Sequence, residues 1–479
     1  MNSTEDLLRA TVERACARLE RVDPAAADGA LRERLARLAI ASDFAIETLV
    51  RQPGLLATLD APALPPPVLL AGADADWPGQ LRRWRAAEST RLVWRDLDGT
   101  DRVEDTLAGS TRIAEQALAG ALAAVEGAVR ERHGVLRDAS GGVVSLVVFG
   151  LGKLGGGELN FSSDIDLIYA FAEHGHSDGA RPLAAEEYFT RIGQRLAQLL
   201  GDVTADGFSH RVDLRLRPFG ASGRLALSFA AMEQYYQREG RDWERYAWIK
   251  ARPVAGDIAA GETLLTALRP FVYRRYLDYG ALDGLREMKA MIDAEVQRRE
   301  LAEDLKLGPG GIREVEFLVQ ALQLIRGGRE APLRQRALLP ALAALAEGGH
   351  LPAATAARLA DAYRFLRRLE NRVQMFADHQ VHALPEDPAR RLRIARALGH
   401  ADAAQLQVQL DAERAVVAEA FADLLKTRRR QLERGAMARY WHALPEAGDA
   451  TTLAEAGFVD ATAHHARLRD FARSPAVRD

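Results

Sequence analysis

Two periods divide the chain. From Leu7 to about Arg130, apolar residues recur at helical spacing in a background of Ala, Leu, Arg and Glu, and the run LPPPV at Leu64 to Val68 interrupts them. The pattern changes at Gly141. VVSLVVF (143–149) is continuously apolar and β-branched, DIDLIYAF (164–171) is a second strand-like run, and FSHRVDLRLRPF (208–219) alternates. After Ser228 the helical period returns, first through Leu285, Met288, Ile292 and Val296, then through Ile312, Val315, Val319 and Leu322. Leu359, Leu366, Leu369, Val373 and Phe376 mark a long helix, the turn LPEDP follows, and more helix runs to about Arg434. The expected fold class is α+β, mostly helical. The expected divisions are a helical leader (1–130), a sheet domain (131–230), a helical connection (231–305), a helical bundle (306–435) and a tail or linker (436–479).

Length and composition narrow the classes. With 479 residues, 48% of them hydrophobic, the chain can bury large cores and reads as two to four domains. The start lacks the basic-then-apolar pattern of a secretory signal and no run reaches membrane length, so the expectation is a cytoplasmic protein without a membrane partner. The single cysteine, Cys16, allows no internal disulfide and is expected in an apolar interior. A formal net charge of −3 gives no global attraction for nucleic acid, and no nucleic-acid partner is expected. The arginines of LRERLARL (31–38) and RFLRRLENR (364–372) read as solvated helix faces with i, i+4 pairing.

The chemistry concentrates in FGLGKLGGGELNFSSDIDLIYAF (149–171), a strand, a glycine-rich turn, a polar bend and a second strand opening on Asp164 and Asp166. Residues i and i+2 of a strand project from one face about 6 to 7 Å apart, close enough for two carboxylates to share divalent ions. In the third run Val212, Leu214 and Leu216 make an apolar face, while Arg211, Asp213, Arg215 and Arg217 share the other. Carboxylates for metal beside guanidinium groups for phosphate is the mixture phosphoryl transfer needs. GLGKLG matches the dinucleotide pattern G-x-G-x-x-G, but GGELNFSSD is too broken for the long helix that pattern opens. A Walker A loop fails because Lys153 is followed by Leu154. The glycines instead let backbone amides approach a phosphate, with Lys153 nearby as a point charge.

These segments, with DLRLRPFGASG, WERYAWIKARPVAG, GPGGIREVEFLVQALQL and NRVQMFADHQVHALP, resemble the family of bifunctional glutamine synthetase adenylyltransferase/adenylyl-removing enzymes, strongly over about 140–390. The resemblance implies a polymerase-β-like nucleotidyltransferase sheet domain flanked by the helical leader and a C-terminal helical bundle. It implies two related catalytic halves in the family's polypeptide, with 436–479 as a tail or the start of a linker to a second half not contained here. Glu158-Leu159-Asn160, Arg217-Pro218-Phe219-Gly220 and the position of the motif behind a leader resemble the amino-terminal, adenylyl-removing half. Carried over, the resemblance makes Asp164, Asp166 and Asp213 catalytic and ligands of Mg2+, with Gly150, Gly152, Lys153 and Ser163 in the phosphate loop and Arg215 and Arg217 as further phosphate contacts.

The implied reaction is removal of AMP from an adenylylated tyrosine of glutamine synthetase by inorganic phosphate, giving ADP. The signalling protein PII is the implied regulator, with its uridylylated form favouring removal and glutamine opposing it. The alternatives are ATP-dependent adenylylation of the synthetase, nucleotide transfer to a small molecule or an RNA end, and a catalytically inactive binding module. Two readings stay open for the polar face Arg313, Glu316, Gln320 and Gln323: a salt bridge on a solvated face, or a helix packed over the nucleotide site or against the protein substrate. His379 and His382 read as a helix end entering a loop rather than a zinc site.

Overall fold

The continuously apolar run around Val147 forms a central strand buried on both sides. The computed structural model describes residues 4–473 apart from 62, 71, 73, 275–302, 435 and 445. Seven strands occur among them: β1 Leu136–Arg137, β2 Leu146–Gly150, β3 Ile165–Phe171, β4 His176–Ser177, β5 Val212–Asp213, β6 Ala226–Ser228 and β7 Arg252–Gly256. β1 and β4 form a separate antiparallel pair. The main sheet has the order β5-β3-β2-β7, with β6 also on β3. β2 is antiparallel to both neighbours, whereas β5 and β6 lie parallel to β3 at successive positions along its free edge.

Leu146 and Val148 enter one core with Leu118, Leu122 and Val125 of the leader helix Val103–His133 and with Phe189 and Ile192 of the helix Ala185–Gly201. Val147 and Phe149 enter another core with Tyr236, Trp248, Leu264 and Leu268. A strand covered on both faces has no polar face to alternate, which is why the sequence run is unbroken. β7 lies inside the stretch read as helical connection; it is an edge strand, where Pro253 is tolerated because no neighbour needs its missing N–H.

The third expected strand is corrected. Only Val212 and Asp213 are extended in the ladder, so the parity assigned to Leu214–Arg217 does not exist. The Asp213 carboxylate accepts the Arg215 backbone N–H at 2.8 Å and turns the chain, and Phe219 then sits at a φ of 63°. The glycine motif opens a helix of four residues only, Gly152–Gly155, in line with rejection of a dinucleotide fold.

Helix dominates the remainder. The apolar stripes through Ile312 and Leu359 lie in the helices Ile312–Arg326 and Ala353–Met375, and LPEDP leads into Pro388–Ala397, capped by Asp387. Leu285, Met288, Ile292 and Val296 lie outside the described residues. Residues 1–417 form one compact unit and 418–479 another, the latter containing the helices Ala436–Ala443, Ala450–Glu455 and Ala461–Ala472. Cys16 is buried in the leader. No described helix is long and apolar enough to cross a membrane.

Candidate active site

The parallel pairing of β3 with β5 sets Asp166 directly opposite Asp213, with Asp164 two residues before Asp166. All three line one cleft of ≈ 410 Å³ together with Gly152, Lys153, Ser163 and Arg215. Seven of the nine expected site residues therefore meet. Gly150 and Arg217 do not line the cleft. A Cβ at Gly150 would press on Leu154 and Val254 at 2.9 Å, so that glycine serves strand packing. Arg217 donates to the carbonyls of Leu214, Gly223 and Ala221 at 2.6, 3.1 and 2.9 Å and closes its own loop.

Two of the carboxylates are held by arginines. Asp164 accepts from Arg211 Nε at 2.8 Å, and Asp213 accepts from Arg215 Nε at 2.9 Å. Asp166 has no ion-pair partner among the described residues. Burial first, then the charges of Asp213 and Asp164, push its carboxyl up to about 6, with Lys306 and Arg215 opposing. The Arg215 guanidinium beside Asp213 holds that carboxyl below the usual range. Among the described residues no three His, Cys, Asp or Glu side chains are gathered into a ready metal cage, and Arg211 and Arg215 each pair with one of the candidates. The donor set nonetheless fits a hard divalent cation: three carboxylates face one cleft, and the buried one lacks a counter-charge.

The loop that delivers Ser163 and Asp164 is built on the helix Ala353–Met375, and here the reading of RFLRRLENR as a solvated face is overturned. Arg367 and Glu370 are 0% exposed and Arg372 is 1%. Arg367 donates to Asn160 Oδ1 at 3.0 and 2.7 Å and to the Glu158 carbonyl. Asn371 Oδ1 and Gln374 Oε1 each accept a backbone N–H at 3.0 Å, from Phe161 and Ser162 respectively. The polar face of this helix thus satisfies loop backbone groups that no strand or helix could.

The same helix anchors the glycine turn. Lys153 Nζ meets Glu370 at 3.1 Å, and His382 Nδ1 meets the same carboxylate at 2.7 Å. Burial works against the Glu370 charge, but Lys153, the His382 hydrogen bond and Arg367 outweigh it and hold the carboxyl well below the usual range. His382 lies in the loop beyond the helix, as its sequence suggested.

Several cleft residues escaped the sequence reading: Tyr246, Lys250, Lys306 and Gln380. Lys250 bonds Glu316 at 2.9 Å and Glu158 at 3.3 Å, joining the Ile312–Arg326 helix to the start of the loop. The four polar positions of that helix separate. Glu316 and Gln320 face the cleft, Gln323 is buried on the carbonyls of Leu333 and Gln335, and Arg313 is exposed. A lysine adjoining a motif, as in WERYAWIK, was the available signal; its partners 92 and 66 residues away were not.

Residues 32–267 match the family model described as Glutamate-ammonia ligase adenylyltransferase, and residues 286–425 match that described as GlnD PII-uridylyltransferase. A Stenotrophomonas maltophilia (strain K279a) protein, named bifunctional glutamine synthetase adenylyltransferase/adenylyl-removing enzyme, is 62% identical over 476 residues, covering 98% of this chain and 51% of that protein. Proteins of the same name from Xanthomonas axonopodis pv. citri (strain 306) and Pseudomonas aeruginosa (strain PAO1) are 59% and 44% identical over 482 and 471 residues. These alignments cover 99% and 93% of this chain, and 51% and 48% of the respective relatives. The chain spans about half the length of the curated relatives it matches.

Proposed function

The chain belongs to the family of the bifunctional glutamine synthetase adenylyltransferase/adenylyl-removing enzymes, and we propose that it removes AMP from an adenylylated tyrosine of glutamine synthetase by phosphorolysis. The observation that carries a phosphoryl-transfer reading is the cleft itself, where Asp164, Asp166 and Asp213 meet Lys153, Arg215, Lys250 and Lys306. An oxygen of inorganic phosphate attacks the α-phosphorus in line with the tyrosine oxygen. The new phosphorus–oxygen bond makes ADP as the old one breaks, and the phenolate leaves with the bond's electrons and takes a proton from water. Attacker and target are both anions, so the main task of the protein is to offset their repulsion.

Mg2+ is the proposed cofactor; Asp164, Asp166 and Asp213 would hold it, and bound there it would supply positive charge to the phosphoryl oxygens. The Arg211 pair occupies only Oδ1 of Asp164, and Arg215, paired with Asp213 through Nε and Nη2, is the proposed further guanidinium contact for phosphate. Ser163 and the backbone at Gly152 shape the phosphate side of the cleft. Uridylylated PII as activator and a cytoplasmic setting belong to the same proposal, on the strength of the family resemblance.

Removal is favoured over attachment by the Glu158-Leu159-Asn160 and Arg217-Pro218-Phe219-Gly220 segments, which resemble the removing half. The matched model's description as an adenylyltransferase supports the second reading, transfer of AMP from ATP to the synthetase. Nucleotide products separate the two. With magnesium, phosphate and uridylylated PII, the chain is expected to release ADP from adenylylated synthetase in proportion to phosphate; AMP attachment from ATP without ADP release assigns the second activity.

A further inference from the structure

We propose that Lys306 is the phosphoryl-anion anchor of this cleft, a binding residue for the oxygens of either inorganic phosphate or the transferred phosphoryl group. The proposal rests on the phosphoryl-transfer reading above and adds a residue to it.

The other cations lining the cleft are already paired. Lys153 is paired with Glu370, Arg215 with Asp213, and Lys250 with both Glu158 and Glu316. Lys306 lines the same cleft, yet its ammonium makes no hydrogen bond or ion pair with any described residue. Lys306 is half-buried, and its three ammonium donors stay available to an anionic ligand in the cleft.

The backbone beneath Lys306 is held firmly. Its N–H donates to Asp304 Oδ1 at 2.8 Å and its carbonyl accepts from Arg313 N–H at 3.0 Å. The preceding Leu305 N–H donates to the His382 carbonyl at 2.6 Å, and Asp304 bridges Ala383. His382 in turn holds Glu370, the partner of Lys153. Lys306 is thus mounted on the same framework that fixes the glycine turn. Lys306 lines the cleft together with the three aspartates and Gly152, and its charge reaches both Asp166 and Lys153. An ammonium there meets phosphoryl oxygens as a point charge with three donors and no geometric fork, which suits a tetrahedral anion that must turn over.

The test is equilibrium dialysis of the full chain against radiolabelled inorganic phosphate and, separately, against AMP, with magnesium present and no synthetase. Lys306→Gln is expected to weaken one of the two by about ten-fold or more, the loss of one charged hydrogen bond. Loss of phosphate affinity assigns the anchor to the attacking anion, and loss of AMP affinity assigns it to the transferred group. Lys306→Arg is expected to keep clearly more affinity than Lys306→Gln, because the charge is retained although its shape changes. Unchanged affinity for both ligands in Lys306→Gln overturns the proposal, as does an equal loss in both variants accompanied by a lowered melting temperature. Turnover of adenylylated synthetase by the unsubstituted chain tests the removal reaction separately, since neither dialysis measurement requires it.

Discussion

The backbone at Gly152 passes directly over the carboxylate of Asp166. A Cβ at Gly152 would lie 2.5 Å from Asp166 Oδ2, and the residue has a φ of 52°. Gly152→Ala therefore meets both a strained backbone and a displaced carboxylate. The expected stability loss is about 1 to 2 kcal/mol, read from denaturant unfolding. Turnover is expected to fall by more than the stability loss explains, and a variant with unchanged kcat would separate the turn from the chemistry.

Through Asn371 and Gln374, the Ala353–Met375 helix holds the loop that leads into Asp164. Asn371→Ala leaves the Phe161 N–H unsatisfied in a buried place and is expected to cost about 1 to 3 kcal/mol. A purely structural role would lower the melting temperature alone. Positioning also moves Asp164, so the magnesium concentration for half-maximal activity is expected to rise in Asn371→Ala and in Gln374→Ala.

Acid stability is expected to depend on Glu316. Burial opposes its charge, but Lys250 chiefly, with Lys153 and Arg367, outweighs burial and holds the carboxyl down at about 2. A depressed carboxyl contributes stability above the unfolded value of 4.5, and that contribution is lost as pH falls from there toward 2. Glu316→Gln is expected to cost about 2 to 3 kcal/mol at pH 7 and to flatten the acid limb of urea midpoint against pH. An acid limb of unchanged slope would remove Glu316 from this account.

Arg217 is expected to behave as a loop residue. Arg217→Gln removes donors to the carbonyls of Leu214, Gly223 and Ala221, so it lowers the melting temperature. Inorganic phosphate binding is expected to stay within about two-fold, since Arg217 does not line the cleft. A larger loss of phosphate binding at unchanged melting temperature would return Arg217 to the ligand contacts.

What the sequence disclosed was local. Asp164 and Asp166 sit in one motif, and the switch from helical period to unbroken β-branched runs marked β2 and β3 without reference to anything distant. The burial of Arg367 and Glu370 could not be read in the same way. A polar helix stripe has the same spacing whether it meets water or a loop, and the loop it meets lies 207 residues earlier at Asn160. The alternation after Asp213 misled for a related reason: Arg215 can follow a strand or close a turn, and the carboxylate two residues before it decides. Lys306 adjoins the recognised GPGG segment, but its significance depends on which other cations are already paired, and pairing is a tertiary property.

Substituting Asp164 and Asp166 tests most directly whether the aspartate cleft carries the phosphoryl transfer. Burial and neighbouring carboxylates raise Asp166 to about 6, so the fold disfavours its charge above that pH and is relieved of the cost below about 3.8. Asp166→Asn is therefore expected to melt no lower than the unsubstituted chain at pH 7.5 without magnesium. Phosphate-dependent ADP release from adenylylated glutamine synthetase is expected to fall by about two orders of magnitude or more in Asp164→Asn and in Asp166→Asn. Full turnover in either folded variant would contradict the account.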